Sequence, residues 1–277
     1  MIFDCGGRAL DLSRVAIMGI LNVTPDSFSD GGAFLNHEKA VAHAHAMVAQ
    51  GAAIIDVGGE STRPGAATVT ATEEVDRVAP VVERLAREVA VPISVDTSKP
   101  EVMRAAVAAG AGLINDVRAL REPEALETAA MLVRPVCLMH MLGDPRSMQR
   151  DPAYHDVVRE VRDFLATRID AAVAAGIPRE RIIVDPGFGF GKTAAHNVVL
   201  LRRLREFTEL APVLVGLSRK SMIAKLVGLP LERRLSASVV LASIAVQNGA
   251  RIVRAHDVAA TVEAIRMVEA VYPWAAD

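Results

Sequence analysis

Cysteine is scarce in this sequence. Cys5 and Cys137 are its two cysteines among 277 residues, and they lie far apart and outside any CxxC pattern. This usage argues against a disulfide framework and against a cysteine-rich zinc site. It favours a protein that works in a reducing compartment.

A net charge of either sign and a long apolar run are also missing. The 31 Lys and Arg residues nearly balance the 33 Asp and Glu residues, so no overall field attracts nucleic acid or an anionic membrane. No run of apolar residues approaches the roughly 18 that a membrane span needs. Residues Met1–Ser13 carry Asp4, Arg8 and Asp11, which do not fit the apolar stretch of a signal peptide. We therefore expect a cytoplasmic protein without nucleic-acid or membrane partners.

Eight short runs rich in β-branched residues alternate with segments of helical periodicity. The predicted strands are Val15–Val23, Ala53–Val57, Pro92–Asp96, Gly112–Asp116, Pro135–His140, Arg181–Asp185, Pro212–Leu217 and Arg251–Ala255. Several are almost continuously apolar, as expected for strands that are covered on both faces. Eight strand–helix alternations in about 250 residues predict an α/β fold, a TIM (β/α)₈ barrel that forms a single domain over residues 1–277.

The intervening helices carry their own signals. Apolar residues at helical spacing between Val75 and Leu85 predict one buried stripe, and Ser98–Glu101 has the spacing of a capping box. A long helix that begins near Val157 is predicted to end at Gly176. A short extra helix at Lys220–Val227 is predicted before the helix at Arg233–Gly249.

Polar residues close almost every predicted strand. They are Asn22, Asp56, Asp96, Asn115, Asp116, His140, Asp185, Ser218, Arg254 and His256. In a TIM barrel these strand ends line one mouth, where the active site lies. An aspartate at one strand end often caps the next helix, but capping does not require carboxylates and amides on separate strands. The set therefore indicates a binding site.

The residue types suggest what the mouth binds. A ring of carboxylates and amides accepts hydrogen bonds from a planar edge with an amino group beside a ring N–H. The last strand has the opposite character, because Arg254 and His256, with Asn22 and Arg63, could hold a phosphate or diphosphate. Two long loops, Thr24–Asn36 and Gly59–Thr72, are rich in Gly, Pro, Ser and Thr, and we expect them to be binding loops.

Other interpretations of single motifs are weaker. Asp185–Thr193 resembles a phosphate-binding P-loop, but Pro186 stands where that motif requires glycine. Lys220 could form a Schiff base as in barrel aldolases, although it follows its strand rather than lying in the barrel. His43 and His45 face different directions on a helix and make a poor metal pair.

At these polar strand ends the sequence resembles the dihydropteroate synthase family of pterin-binding enzymes over nearly its whole length. The segments that carry the resemblance are Ile20–Gly32, Asp56–Gly65, Ser94–Thr97, Ile114–Asp116, Asp185–Lys192, Ser218–Ser221 and Arg254–Asp257. The resemblance implies condensation of 6-hydroxymethyl-7,8-dihydropterin diphosphate with 4-aminobenzoate, which gives 7,8-dihydropteroate and diphosphate. It also implies Mg²⁺ as cofactor, a homodimer and inhibition by sulfonamides.

The resemblance further implies roles for individual residues. Asp96, Asp185 and Lys220 would be the catalytic residues and, with Asn115, would bind the pterin above a floor supported by Asp56. Asn22 would reach the Mg²⁺ on the diphosphate, which Arg254 and His256 would hold. The residues expected in the aminobenzoate site are Thr62, Arg63, Pro64, Phe190, Ser218 and Ser221.

Two alternative functions agree less well with the residues present. A non-catalytic pterin-binding paralogue would be expected to lack Asn22, Asp96, Lys220 or Arg254, and all four are present. A pterin-dependent methyltransferase that works with a corrinoid protein is disfavoured by the segments Phe28–Gly32 and Ser218–Ser221.

Overall fold

The structure, a computed structural model, describes residues 1–24, 33–61, 68–144 and 148–272; for residues 33–36 it describes the backbone. Within these ranges a two-stranded antiparallel hairpin precedes a closed parallel barrel of eight strands. The hairpin strands are β1 (Ile2–Asp4) and β2 (Ala9–Asp11). The barrel strands are β3 (Ala16–Asn22), β4 (Ile54–Gly58), β5 (Ile93–Asp96), β6 (Leu113–Asp116), β7 (Val136–Met139), β8 (Ile182–Asp185), β9 (Val213–Val215) and β10 (Ala250–Ala255).

Helices follow the barrel strands and cover their outer faces. They are α1 (Ala33–Ala49), α2 (Ala71–Glu88), α3 (Pro100–Ala109), α4 (Ala125–Leu132), α5 (Val157–Ala174), α6 (Ala194–Arg202), α7 (Ser221–Val227), α8 (Leu235–Gln247) and α9 (Val258–Val271). Short α7 is the predicted extra helix, inserted before α8. The predicted (β/α)₈ barrel is therefore confirmed, as are its eight strands.

Alternation along each strand decides where the two halves of the core lie. One set of strand residues packs outward against the helices, for example Ile55, Val57 and Val95. The alternate set points into the barrel and packs there with the β1–β2 hairpin, whose Phe3 and Leu10 are buried. The hairpin thereby covers the amino-terminal end of the barrel, so that the carboxyl-terminal mouth is the end left for ligands. The hairpin was not predicted from the sequence, because strands of three residues carry little periodicity.

Two helix predictions are confirmed and one is wrong. Val78, Val82 and Leu85 form the buried stripe of α2, and Gly176 follows α5 with φ 99°. The expected capping box at Ser98 is absent, because α3 begins at Pro100 and the Ser98 hydroxyl bonds the Asp116 carboxylate instead. Leaving the buried Asp116 carboxylate without a donor would cost more free energy than leaving one N–H at the start of α3 without a side-chain acceptor.

Candidate active site

The side chains that point into the barrel change from apolar to polar between one inward position of a strand and the next inward position toward its carboxyl end. The inward residues Ile54, Leu113, Ile183 and Ile252 belong to the interior apolar cluster. The next inward residue on each of these strands, two positions later, is polar: Asp56, Asn115, Asp185 and Arg254, respectively. Because side chains repeat every two residues in a strand, these four point into the barrel mouth one layer above the apolar cluster.

Arg254 joins the carboxylates of the mouth. Its Nε donates to Asp56 Oδ2 at 2.6 Å and its Nη2 donates to Asp96 Oδ2 at 2.7 Å. The Asn115 amide donates to the same Asp56 oxygen at 3.1 Å. The sequence suggested that Arg254 holds a phosphate apart from the acidic residues, but the structure places its guanidinium between two of them. Burial opposes the charged form, but the two flanking carboxylates prevail and raise the pKa of Arg254 further above its usual range.

Some of the polar atoms in this layer have no protein partner. Among the described residues, Asp56 Oδ1, Asp96 Oδ1 and Ser94 Oγ are buried without a hydrogen-bond partner. A buried acceptor without a donor costs about 1–3 kcal/mol. These three atoms therefore mark the place where a ligand with hydrogen-bond donors would be stabilised.

Burial makes the acidic residues of the mouth weaker acids. It raises the pKa of Asp96 to about 7, opposed by Arg254 and supported by the neighbouring carboxylates of Asp56 and Glu74. It raises the pKa of Asp185 to about 6, opposed by a hydrogen bond from Gly187 N–H and by the charge of Lys220. Hydrogen-bond donors on a ligand would favour the ionised form of both groups.

Lys220 and Phe190 form the wall beside Asp185. The Lys220 ammonium lies 4.3 Å from the centroid of the Phe190 ring, in cation–π geometry. Burial lowers the pKa of Lys220 to about 8, although the Asp185 charge opposes this. The lysine is half-buried, whereas the neighbouring Arg219 is exposed and bonds Asp257.

The remaining predicted residues lie at the rim. Ser218 Oγ and His256 Nδ1 are 3.0 Å apart, which fixes the orientation of the imidazole ring. Ser221 is exposed as the first residue of α7. Asn22 ends β3, and both Asn22 and Asp96 lie close to Gly58. A Cβ added to Gly58 would lie 3.9 Å from Asn22 Oδ1 and 3.7 Å from Asp96 Oδ2. Thr62, Arg63 and Pro64 lie outside the described residues.

Three residues near the mouth matter in ways that the sequence did not reveal. Asp116 accepts bonds from Ser98 and from the backbone N–H groups of Arg118 and Leu120, so it holds the β6–α4 loop. The Lys99 ammonium bonds the carboxylates of Glu60 and buried Glu74. The third is Lys192, whose ammonium lies 2.8 Å from His140 Nδ1. The sequence indicated Asp116 as one of the polar strand ends, although not its structural role. No sequence pattern indicated the partners of Lys99 and Lys192.

A parallel eight-stranded barrel with this polar mouth defines a TIM-barrel enzyme that binds a small ligand at the carboxyl ends of its strands. Residues 18–256 match the family described as pterin binding enzyme. The chain is 56% identical over 265 residues to the dihydropteroate synthase of Escherichia coli K12, which covers 95% of this chain and 94% of that protein.

Solved structures give the same assignment. The dihydropteroate synthase of Xanthomonas albilineans with 4-aminobenzoic acid matches with a TM-score of 0.93, 56% identity and coverage of 98% and 97% of the two chains. The enzyme from the same organism in complex with 7,8-dihydropteroate matches with a TM-score of 0.90 and 52% identity, covering 98% of each chain. The chain belongs to the pterin-binding enzyme family and, within it, to the dihydropteroate synthases. The corrinoid-dependent methyltransferase is thereby set aside.

Proposed function

We propose that the mouth of this barrel condenses 6-hydroxymethyl-7,8-dihydropterin diphosphate with 4-aminobenzoate in folate biosynthesis, with the residue roles given below. The observation that carries the roles is the buried layer of Asp56, Asp96 and Asn115 around Arg254, with two carboxylate oxygens lacking a protein donor. A pterin edge offers an amino group beside a ring N–H, and these are the donors that such oxygens accept.

The pterin would bind against Asp96, Asn115 and Asp185. Lys220 would donate to a ring oxygen or nitrogen, because its ammonium lies over Phe190 and is attracted electrostatically by Asp185. Asp56 would act as the floor, since it is fully buried and already bonded by Arg254 and Asn115. Proper placement of the reacting methylene group then depends on a layer of side chains held by the barrel itself.

The diphosphate would bind at Arg254 and His256. The Arg254 guanidinium has five N–H donors, and its bonds to Asp56 and Asp96 use two of them. Ser218 orients the His256 ring toward the same rim. An arginine held by two carboxylates is fixed before the ligand arrives, so little conformational freedom is lost on binding.

Mg²⁺ fits the donor set only as an ion shared with the substrate. Among the described residues no group of three His, Cys, Asp or Glu side chains could form a protein cage for a metal. Asn22 Oδ1 and the Asp96 carboxylate flank Gly58 and are hard oxygen donors of the kind that Mg²⁺ prefers. We propose that Asn22 reaches an ion carried by the diphosphate. Bound there, Mg²⁺ would neutralise charge on the departing oxygens.

The reaction needs electrostatic stabilisation more than a general base. As the bond between the methylene carbon and the diphosphate oxygen breaks, the diphosphate leaves with the electron pair and positive charge develops on the pterin methylene. Ionised Asp96 and Asp185 would stabilise that charge in a site of low dielectric. The arylamine nitrogen then forms the new carbon–nitrogen bond and loses a proton to solvent.

The arylamine would bind beside Phe190, with Ser218 along its path and Ser221 near its carboxylate. The Phe190 ring forms a flat wall next to Lys220, which suits stacking of an aromatic amine. Thr62, Arg63 and Pro64 would complete this site. Sulfonamides resemble the arylamine and would compete for the same place.

A homodimer would bury the apolar side chains that helices α7 to α9 expose. Among these residues are Val227 on α7, Val240 on α8, and Met267 on α9 with 65% of its surface accessible. Helices α8 and α9 pack against each other, and apolar residues exposed on neighbouring helices mark a surface that a partner could cover. Val240→Glu should shift sedimentation velocity to the monomer, whereas Val173→Glu on exposed α5 should leave the dimer intact. A monomeric parent chain would contradict the proposal.

We also propose that the protein works in the cytoplasm. The two cysteines are both buried and free, which agrees with a reducing compartment. Among the described residues no helix has the length and apolar character to cross a membrane.

The function is tested by diphosphate release from the pterin diphosphate in the presence of Mg²⁺. Release should depend on 4-aminobenzoate, and a sulfonamide should inhibit it competitively. Asp96→Ala and Lys220→Ala should each abolish turnover without unfolding the protein. A chain that bound pterin but released no diphosphate would be a non-catalytic paralogue, and near wild-type rates in either variant would contradict the assigned roles.

A further inference from the structure

A lysine lies fully buried beneath the active site, and the proposed reaction does not use it. Lys192 follows β8 in the loop before α6 and is 2% exposed. Its ammonium lies 2.8 Å from His140 Nδ1, 2.9 Å from the carbonyl oxygen of Gly187 and 3.0 Å from that of Phe190. The carbonyl oxygen of His140 is a fourth and longer contact at 3.4 Å. The three nearer acceptors match the three N–H donors of an ammonium. The P-loop interpretation of this segment is wrong, because the lysine points inward and bonds backbone carbonyls.

The three acceptors belong to two parts of the mouth. His140 follows β7, and its imidazole is packed edge-on against Phe164 with a ring centroid distance of 4.9 Å. Burial and the charge of Lys192 lower the pKa of His140 to about 2, so its ring is neutral. Because an ammonium can only donate, Nδ1 is the nitrogen that accepts from Lys192 in the protonated form of the lysine. Gly187 and Phe190 bound the turn that follows Asp185. Lys192 therefore ties this turn to the neighbouring strand.

Lys192 holds the outer end of the turn more than its inner end. The inner end has its own local support, because Gly187 N–H donates to Asp185 Oδ1 at 2.7 Å. At the outer end the Phe190 N–H donates to the Gly187 carbonyl at 3.1 Å, the Phe190 carbonyl accepts from Lys192, and the Phe190 ring lies against Lys220. Burial lowers the pKa of Lys192 to about 7, yet its amino group contributes to holding the backbone that carries that ring and contacts neither substrate.

Burying an ammonium is unfavourable unless its hydrogen bonds are satisfied, and an apolar side chain would fill the same space without that cost. We infer that Lys192 is a positioning residue for the arylamine half of the site, since its ammonium fixes the Phe190 ring that forms the wall of that site. This inference rests on the proposed placement of Phe190 beside the arylamine. It assigns to Lys192 no contact with a reacting atom.

The first test is Lys192→Met, which keeps the length of the side chain and removes its three donors. The KM for 4-aminobenzoate should rise by about ten- to a hundredfold, because small displacements of binding groups have effects of that order. The affinity for the pterin diphosphate, measured by calorimetry, should change much less because the Asp185–Gly187 bond is local. Lys39→Met, at an exposed site on α1, is the matched control. Loss of active protein alone would lower kcat and leave both KM values unchanged, and that result would overturn the inference.

The second test separates this inference from the proposed role of Phe190. Phe190→Leu should by itself raise the KM for 4-aminobenzoate, and adding Lys192→Met should then have little further effect, because both changes act through one ring. If Phe190→Leu leaves that KM unchanged, the placement of Phe190 in the arylamine site fails. If Phe190→Leu raises it and the two effects multiply independently, the role of Lys192 fails.

The third test has two parts, and the first leaves Lys192 in place, so it remains decisive if the Lys192 variants do not fold. His140→Phe removes the Nδ1 acceptor and keeps an aromatic ring against Phe164. We expect the KM for 4-aminobenzoate to rise about threefold, with the pterin affinity preserved, because the shortest hydrogen bond of Lys192 is lost. In Lys192→Ala, ethylammonium should restore activity in a saturable manner, whereas tetramethylammonium, which has no N–H donor, should not. An unchanged KM in His140→Phe, or equal effects of the two ions, would overturn the inference.

Discussion

Replacing Asp96 by asparagine should make the protein more stable and nearly inactive, with a stability gain that depends on pH. The carboxylate is 8% exposed, and burial raises its pKa from 3.8 to about 7. A group that binds its proton more tightly in the folded state reduces stability as the pH rises between these two values. Three pKa units correspond to about 4 kcal/mol, and relaxation of the surrounding groups should leave about 2 to 4 kcal/mol.

Asparagine has nearly the same shape as a protonated aspartic acid and keeps an acceptor for Arg254. Below about pH 4 the two proteins should therefore have similar free energies of unfolding, and above about pH 7 the asparagine variant should be more stable by the full amount. Titrating groups distant from Asp96 cancel in the difference, whereas its neighbours Asp56 and Glu74 lose a repelling charge, which adds to the stability gain at high pH. Loss of the anion that faces the developing positive charge should lower kcat by about 10²–10³-fold.

The assay is urea denaturation of both proteins at pH 5 and pH 8, with diphosphate release measured on the same preparations. The difference in unfolding free energy should grow between the two pH values. An asparagine variant that is less stable than the parent at pH 8, or equally affected at both pH values, would refute this account of the buried carboxylate. Full activity in the variant would refute its role in catalysis.

Three further predictions follow from neighbouring features of the mouth. The affinity for the pterin diphosphate, measured by calorimetry, should fall above about pH 8, where Lys220 loses its proton, and the affinity of Lys220→Met should lack that fall. Gly187→Ala should prevent folding or cost over ~3 kcal/mol of unfolding free energy, because its Cβ would lie 1.9 Å from the carbonyl oxygen of His140. Gly228 has a similar φ but lies in open space, so Gly228→Ala should cost about 1–2 kcal/mol. Urea denaturation measures both. Lys99→Met should raise the KM for 4-aminobenzoate. Lys99 bonds Glu60, which also accepts from the backbone N–H of Val69, and the residues proposed for the arylamine site lie between these two positions in the sequence. An unchanged KM would show that the contact between Lys99 and Glu60 is only structural.

The sequence by itself determined the barrel and the composition of its mouth. Strand periodicity is local, so a polar residue two positions beyond an inward apolar residue, as Asp56 is beyond Ile54, has to face the mouth once the barrel closes. The long motifs that carry the family resemblance lie at those same strand ends. The family and the fold can therefore be inferred from the sequence alone.

Tertiary structure alone decided which of these side chains are partners. Arg254 bonds Asp56 and Asp96, which lie 198 and 158 positions away, and no local pattern specifies such pairs. Burial and neighbouring carboxylates, which are properties of the folded chain, weaken the acidity of Asp96, and the folded chain also places backbone carbonyls around the Lys192 ammonium. Local periodicity fixes which face a residue occupies, whereas partners and protonation depend on what the rest of the chain places beside it.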